Sequence, residues 1–271
     1  MNAPMPPPAA VSAAVHPAAV PSFAQSLHGL WLLTWRSARA WRRAVLWVAA
    51  LFANPLLAWL SIPRGGDGAF LDWTVHLYLD LLIPLICLVV CGGMIRDEVQ
   101  DDTLGFLITR PVTRARLYLA KYLCQLPWLQ AVALVNGGLL LLVGMRVGVE
   151  EAASLAWRVL AGGALAVLAY GALGGLFGLI TRRYIVLGLV YGFIVEVGIG
   201  HIPTNINSLS MMRHVQTLLA GHPAVADRYD WSAEGAVTGV LIMLGATLVA
   251  LGAGAVLFTW KELQPGQEAP K

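Results

Sequence analysis

Six long apolar runs limit how this chain can fold. Each is 19 to 25 residues long and contains at most one Asp, Glu, Lys or Arg; the runs are Ala44–Ile62, Val75–Ile95, Tyr122–Met145, Trp157–Ile180, Tyr184–Pro203 and Ala236–Trp260. About 20 apolar residues in an α-helix cross the roughly 30 Å hydrocarbon core of a bilayer. Because the runs are continuous and do not alternate in segments of about ten residues, they do not fit a membrane β-barrel. The sequence therefore predicts an all-α polytopic membrane protein with six transmembrane helices.

The composition excludes several other classes. Of the 271 residues, 58% are hydrophobic and 12% are charged, and the net charge is +3. A soluble domain carries about 25% charged residues, so this chain has too few charges to cover a water-facing surface. The small net charge gives no reason to expect a nucleic-acid partner, whereas membrane lipid is an expected one.

Basic residues are distributed unequally between the two sides of the predicted bundle. Five lie on one side: Arg64, Arg146, Arg158, Arg213 and Arg228. Thirteen lie on the other: Arg36, Arg39, Arg42, Arg43, Arg96, Arg110, Arg114, Arg116, Lys121, Arg182, Arg183, Lys261 and Lys271. The positive-inside rule makes the second side cytoplasmic. We therefore predict a multi-pass protein of the inner (plasma) membrane with both termini in the cytoplasm.

The two ends of the chain are expected to be disordered tails, at residues 1–22 and 263–271, flanking a membrane domain over residues 23–262. The first tail contains six prolines and seven alanines and lacks the basic residues of a secretory signal. Next, Phe23–Arg43 has helical periodicity, with Trp31 and Trp35 opposite a basic face of Arg36, Arg39 and Arg43. This predicts an interfacial helix in the membrane plane, the alternative being a plain extension of the first span.

The loop between the second and third spans, Arg96–Lys121, has the most distinctive pattern. Acidic residues lead into a short apolar segment, Thr103–Ile108, which Asp101 and Asp102 can cap. Pro111 ends that segment, and Thr113 is a suitable N-cap for a helix that continues through Lys121 into the third span. Leu104, Phe106 and Leu107 on a cytoplasmic helix need a cover, either a protein partner or the lipid surface.

A second surface helix is predicted on the outer side, within Asn205–Trp231. Its apolar stripe is Leu209, Met212, Val215 and Leu219, its cap is Asn207 or Ser208, and Gly221 and Pro223 end it. It either lies at the outer leaflet or caps the bundle.

Two carboxylates fall inside predicted spans, Asp80 in the second and Glu196 in the fifth. A charge in hydrocarbon is costly and usually faces a cavity or a partner. Both lie in the outer half of the membrane, where they either line a pathway or serve as structural hydrogen-bonding groups. Paired glycines four residues apart, such as Gly174 and Gly178, predict close packing among spans four, five and six, or a subunit interface. Proline kinks are expected at Asn54–Pro55 and Pro84.

No nucleotide-binding, catalytic or metal-binding motif occurs in the sequence. It lacks GxxxxGK[ST], HExxH and GxSxG patterns and paired-cysteine zinc spacing. Cys87, Cys91 and Cys124 are interpreted as packing residues. The chain is not expected to be an enzyme by itself, or to hold a cofactor or a metal.

The loop resembles the cytoplasmic signature of ABC-2 type permeases. The residues that carry the resemblance are Asp97 and Glu98, the run Asp102-Thr103-Leu104, the run Leu107-x-Thr109-Arg110-Pro111-Val112-Thr113-Arg114, and Lys121. The resemblance extends to the six-span layout, the interfacial helix, the large last outer loop and the cytoplasmic termini, over about residues 25–262.

This resemblance implies the membrane subunit of an export-type ABC transporter. Such a subunit pairs with itself or with a similar permease and binds two copies of a separate ATPase subunit, which holds ATP and Mg. Thr103–Ile108, with Arg110 and Arg114, would be the coupling helix seated in that ATPase. Two alternatives remain: a secondary transporter or channel that uses Asp80 and Glu196, and a membrane scaffold without transport.

Overall fold

The computed structural model describes residues 29, 31–32, 41–100, 113–198, 209–233 and 235–261, with side chains for all of these except 41–50, 64 and 98–100. All regular elements in this part of the chain are helical, as predicted. They are α1 (Trp41–Asp72), π1 (Trp73–Leu82), α2 (Ile83–Gln100), α3 (Arg114–Val147), α4 (Ala152–Ile180), α5 (Tyr184–Tyr191), π2 (Gly192–Gly198), α6 (Met211–Leu219), α7 (Pro223–Tyr229) and α8 (Ala236–Trp260).

Within the described residues, four helices are long and apolar enough to cross a membrane. They are Gly65–Asp97, Arg114–Val147, Ala152–Ile180 and Ala236–Trp260, which contain the second, third, fourth and sixth predicted spans. At the first and fifth predicted spans the apolar helices are shorter, Leu51–Pro63 and Tyr184–Gly198. The multi-pass helical membrane class is confirmed, whereas the count of six full spans stays a prediction.

The two ends of the bundle carry different side chains. We call one the basic end: α2, α4 and α8 finish there, α3 begins there, and it carries Arg114, Lys121 and Lys261. The other, the far end, holds α6, α7 and the first turns of α4. The basic end is the side for which the sequence predicts a cytoplasmic location.

Helix α3 begins where the sequence predicts. Thr113 is its N-cap in extended conformation, and the Leu117 amide donates to the Thr113 carbonyl at 3.0 Å. The helix is continuous over 34 residues to Val147, although it contains Pro127. At 1.5 Å per residue it is about 50 Å long. One rigid element thus joins the end of the predicted coupling loop to the far end.

The first two helices depart from regular α winding at two places, one of them directly before the predicted kink at Pro84. Inside α1, Gly66 leaves the helical region, with φ 62° and ψ −155°, whereas Asn54–Pro55 does not. Glycine is the residue that adopts a positive φ without steric cost. Ahead of Pro84 the chain winds as a π-helix, and the Ile83 amide bonds to the Tyr78 carbonyl. A proline ring crowds the carbonyl four residues earlier, so wider winding before Pro84 relieves that contact.

Helix α4 occupies the centre of the bundle, and its glycines allow close approach. A Cβ on Gly174 would lie 2.9 Å from the Cys87 carbonyl oxygen, and one on Gly178 would overlap the main chain of Gly92. The close packing predicted from the glycine pairs is therefore present. Gly174 and Gly178 face α2 at Cys87–Gly92, and α4 also packs against α8, the sixth predicted span. Cys87, Cys91 and Cys124 are buried free thiols, as expected of packing residues.

A buried amide pair joins α1 to α3. Asn54 Nδ2 donates to Asn136 Oδ1 at 2.9 Å, and Asn136 Nδ2 donates to the Leu51 carbonyl at 3.0 Å. Both side chains are at most 3% exposed. Hydrogen bonds of this kind stabilise helix association in an environment without water.

The predicted surface helix is present as α6, but its cap and its buried face differ. Ser210 caps it, not Asn207 or Ser208, and the Ser210 Oγ accepts from the Arg213 amide at 3.2 Å. Leu209 precedes the helix and is exposed, so it is not part of the stripe. The buried residues are Met211, Met212, His214, Val215 and Leu219. Because Val215 and Leu219 pack on Gly162 of α4, α6 caps the bundle.

Candidate functional site

Three cations at the basic end bind main-chain carbonyls, two of them at the ends of helices. Lys261 Nζ donates to the Leu179 and Ile180 carbonyls at 2.8 and 3.2 Å, where α4 finishes. Arg114 Nη1 donates to the Lys261 carbonyl at 3.2 Å, just beyond α8. The last carbonyls of a helix lack partners and carry partial negative charge, which Lys and Arg side chains satisfy. These bonds connect the start of α3 to the ends of α4 and α8.

Lys121 lies about two turns further along α3 and binds α2. It is 9% exposed, and its Nζ donates to the Met94 carbonyl of α2 at 2.9 Å. This bond joins α2 to α3 on the two sides of the loop that connects them. The two helices that flank the predicted coupling segment are therefore fixed to each other at its base.

The predicted coupling residues fall partly outside the described residues. Asp97 and Glu98 lie in α2, which continues to Gln100, and Arg114 is the first residue of α3. The other residues of the set lie outside the described part: Asp102, Thr103, Leu104, Phe106, Leu107, Arg110 and Pro111. The described geometry thus gives the two flanks of the loop.

Most of the predicted interfacial helix also lies outside the described residues. Trp31 is helical and partly exposed. Trp35, Arg36 and Arg39 are outside the described part. Arg43 belongs to the first turn of α1, so it is part of the helix of the first predicted span.

Each of the two carboxylates predicted inside spans lies in a π-helical segment in the far half of the bundle. Asp80 is in π1, and its Oδ2 lies 3.0 Å from His76 Nδ1. Glu196 is in π2. Tyr170 of α4 has a buried side chain and lies close enough to both carboxylates to interact with them electrostatically. The structure therefore brings Asp80 and Glu196 near the same tyrosine. Helices of the π type are rare and often occur at functional sites.

Glu196 binds the N-terminus of α6. Its Oε2 accepts from Ser210 Oγ at 2.5 Å and from the Met212 amide at 3.1 Å, and its Oε1 accepts from the Met211 amide at 3.3 Å. The first amides of a helix have no partner within the helix and carry partial positive charge, so a carboxylate there is stabilised. Both carboxylate oxygens are therefore engaged by the residues that begin α6.

Asp72, at the junction of α1 and π1, binds the last two side chains of α7. Its two oxygens accept from Arg228 Nε and Nη2 at 3.2 and 2.6 Å, and Oδ1 also accepts from the Tyr229 hydroxyl at 2.7 Å. The hydrogen bond to Asp72 raises the pKa of Arg228, and burial together with that carboxylate raises the pKa of Tyr229. The Tyr229 ring also stacks on Trp231 at 4.6 Å.

Sequence reasoning missed Asp72, Arg228, Tyr229 and Lys261. Asp72 and Arg228 are 156 positions apart, so no local spacing relates them. Lys261 directly follows the last apolar run, where a cation is common at a helix C-terminus, and that signal could have identified it. The described residues contain no group of three or more His, Cys, Asp or Glu side chains arranged to hold a metal.

Comparison with known proteins adds one finding. A family model described as ABC-2 family transporter protein matches residues 40–200, which is more than half of the chain. The match runs from the start of α1 to the end of π2 and contains the loop between α2 and α3. No curated protein matches the chain significantly.

Proposed function

Since this chain belongs to the ABC-2 family of transporter proteins, we propose that it is the permease subunit of an ABC exporter. In this proposal it contributes the membrane path, and a separate ATPase subunit contributes ATP, Mg and hydrolysis. Two ATPase copies act on a pair of permeases, either two copies of this chain or this chain with a similar one. The pair resides in the inner membrane with its termini in the cytoplasm.

The connection between α2 and α3 at the basic end is the main support for the coupling assignment. Lys121 joins the two helices directly below the loop, at 2.9 Å from the Met94 carbonyl. When both flanks of a loop are fixed to each other, a displacement of its tip moves the two helices and is not lost as bending of the loop. In our proposal the tip is Thr103–Ile108, where Leu104, Phe106 and Leu107 enter a groove of the ATPase.

The same base connects the loop to the rest of the bundle. Arg114 binds the residue that follows α8, and Lys261 binds the end of α4. A displacement of the start of α3 would therefore move α4 and α8 as well. Arg110, Pro111 and Arg114 are assigned to the turn that joins the coupling helix to α3, and Asp97, Glu98 and Asp102 to its acidic entry.

The two intramembrane carboxylates have different parts in this proposal. The Asp80 side chain lies next to His76 in the far half of the bundle and is 27% exposed. This exposure favours a position on the substrate path. Glu196 has both oxygens engaged by α6, which favours positioning of that helix. Asp80→Asn should lower transport without lowering the amount of protein in the membrane.

The coupling assignment is tested by binding of the ATPase. ABC ATPase subunits from the same genome are co-expressed with the chain to find one that co-purifies with it. Leu104→Asp combined with Phe106→Asp should abolish that co-purification, because two charges would have to enter an apolar groove. The matched control is Leu209→Asp, which places the same change on an exposed far-end leucine. Equal recovery of the ATPase with the double variant and the control would contradict the proposal.

A further inference from the structure

Two carboxylates hold the helical pair α6–α7 onto the far end, one at each helix. Glu196 binds the N-terminus of α6 through Ser210 and two amides. Asp72 binds α7 through Arg228 and Tyr229. These two contacts of the pair come from different spans.

Both contacts originate where the transmembrane helices leave α winding. Asp72 is the residue before π1, and Glu196 lies within π2. A π segment accommodates an extra residue within an α-helix, and its loss rotates the residues beyond it by about 100° relative to those before it. A change from π to α winding in either span would therefore turn its carboxylate away from the donors on α6 or α7.

The buried side chains of α6 and α7 are apolar except for His214. Val215, Leu219 and Val225 are at most 1% exposed, and the first two pack against Gly162 of α4. Apolar contact of this kind has no directional requirement, so it permits displacement once the polar contacts are released. Two further bonds to α4 exist at the turn between the helices, from Arg158 to the Gly221 carbonyl and between Ser154 and His222. This turn is a suitable hinge.

We propose that α6–α7 is a movable lid over the far end, and that Asp72 and Glu196 are the positioning residues that link its release to the winding of π1 and π2. The inference rests on the proposed function, because a permease must open its far end once in each ATP cycle. The inference adds a mechanism: movement that starts at the basic end would reach α1–π1 and α5–π2, and these two segments would release the lid.

The test uses a cysteine under the lid. Val225→Cys replaces a side chain that is fully buried in α7, and the three native cysteines are buried as well. The full chain in nanodiscs is treated with a hydrophilic maleimide, and the labelling rate of this cysteine reports displacement of the lid. Labelling should be slow in the parent and about tenfold or more faster in Glu196→Ala, which loses three hydrogen bonds to a carboxylate. It should be about threefold faster in Asp72→Asn, because the Asp72–Arg228 pair is largely exposed.

Control variants separate release of the lid from general loosening. Asp227→Asn removes an exposed carboxylate next to Arg228 and should leave the rate unchanged. Glu196→Gln keeps one carbonyl acceptor and should fall between the parent and Glu196→Ala. Each variant is first checked for a monodisperse elution profile. Parent rates in both Asp72→Asn and Glu196→Ala would overturn the inference.

A second measurement distinguishes a lid from a static cap. With the ATPase subunit bound, ATP should speed labelling of Val225→Cys relative to ADP. An equal rate with ATP and ADP in a complex that retains the ATPase would overturn the lid and leave the proposed function standing. Failure of any ATPase to co-purify would instead contradict the proposed function, while the rates of the two carboxylate variants would still decide whether Asp72 and Glu196 hold α6–α7.

Discussion

The two ends of the bundle are held together by opposite chemistry. At the basic end, Lys121, Arg114 and Lys261 bind main-chain carbonyls of neighbouring elements. At the far end, Glu196 binds amides at the start of a helix, and Asp72 binds side chains of α7. Lys261 at the end of α4 and Glu196 at the start of α6 thus each face a helix terminus of complementary partial charge.

This difference determines how each end can move. A cation on a main-chain carbonyl fixes one transmembrane helix directly to another, so the basic end moves as a unit. At the far end the carboxylates hold a separate helical pair, which can leave without breaking any transmembrane helix. We therefore expect displacement at the basic end to be transmitted and displacement at the far end to be local.

Gly178→Ala at the basic end should cause the largest loss of stability. The added methyl would overlap the Gly92 main chain, which has no side chain that could move aside. We expect a loss of about 3 kcal/mol in stability, the upper part of the usual range for overpacking. Thermal unfolding in detergent measures it. Gly245→Ala in α8, where no described atom lies within 4 Å of the new carbon, should melt like the parent; a similar melting temperature for Gly178→Ala would refute the rigid contact.

A smaller effect is expected from Glu196→Ala at the far end. The change removes three hydrogen bonds to a charged acceptor and should lower local stability at the start of α6 by about 2 kcal/mol. Amide hydrogen exchange of Met211 and Met212 should accelerate, while exchange in the middle of α4 should not change. Faster exchange throughout the bundle would show that the far end is not an independent unit.

Next in size is Lys261→Met, which tests whether the basic end depends on its cations. The two bonds to the end of α4 are lost, but the carbonyls reach water at the membrane surface, so we expect about 1 kcal/mol. Faster exchange should extend from Thr181 to the start of α3, because Arg114 binds the main chain of Lys261. Lys261→Arg should restore protection. An effect confined to Thr181 would break the proposed link between α4 and α3.

The smallest effect on stability is expected from Asp72→Asn. The Asp72–Arg228 pair is largely exposed, with 45% and 39% of the side chains accessible, and exposed ion pairs are worth less than about 1 kcal/mol. The melting temperature should therefore change little, and added salt should reduce the difference from the parent further. A large salt-independent loss would place this pair in the core of the fold and would contradict a releasable contact.

The sequence predicted features that depend on local pattern, and it missed those that depend on distance. Apolar length placed the long helices, and Thr113 marked the start of α3, because each signal lies within one element. The sequence predicted Asn207 or Ser208 as the cap of α6, but the cap is Ser210, because Glu196 helps to fix that terminus. A contact between π2 and α6 produces no pattern within the sequence of α6 itself. The π winding of π1 was likewise missed, since Pro84 predicts a distortion without specifying its form.

Contact with the ATPase at the basic end, and only there, is the central claim. A photoreactive phenylalanine analogue in place of Phe106 should cross-link to the ATPase subunit in membranes, because that side chain lies in the proposed groove. The same analogue in place of Leu209, exposed at the far end, should give no such product. A cross-link from position 209, or none from position 106 in a complex that retains the ATPase, would contradict the account.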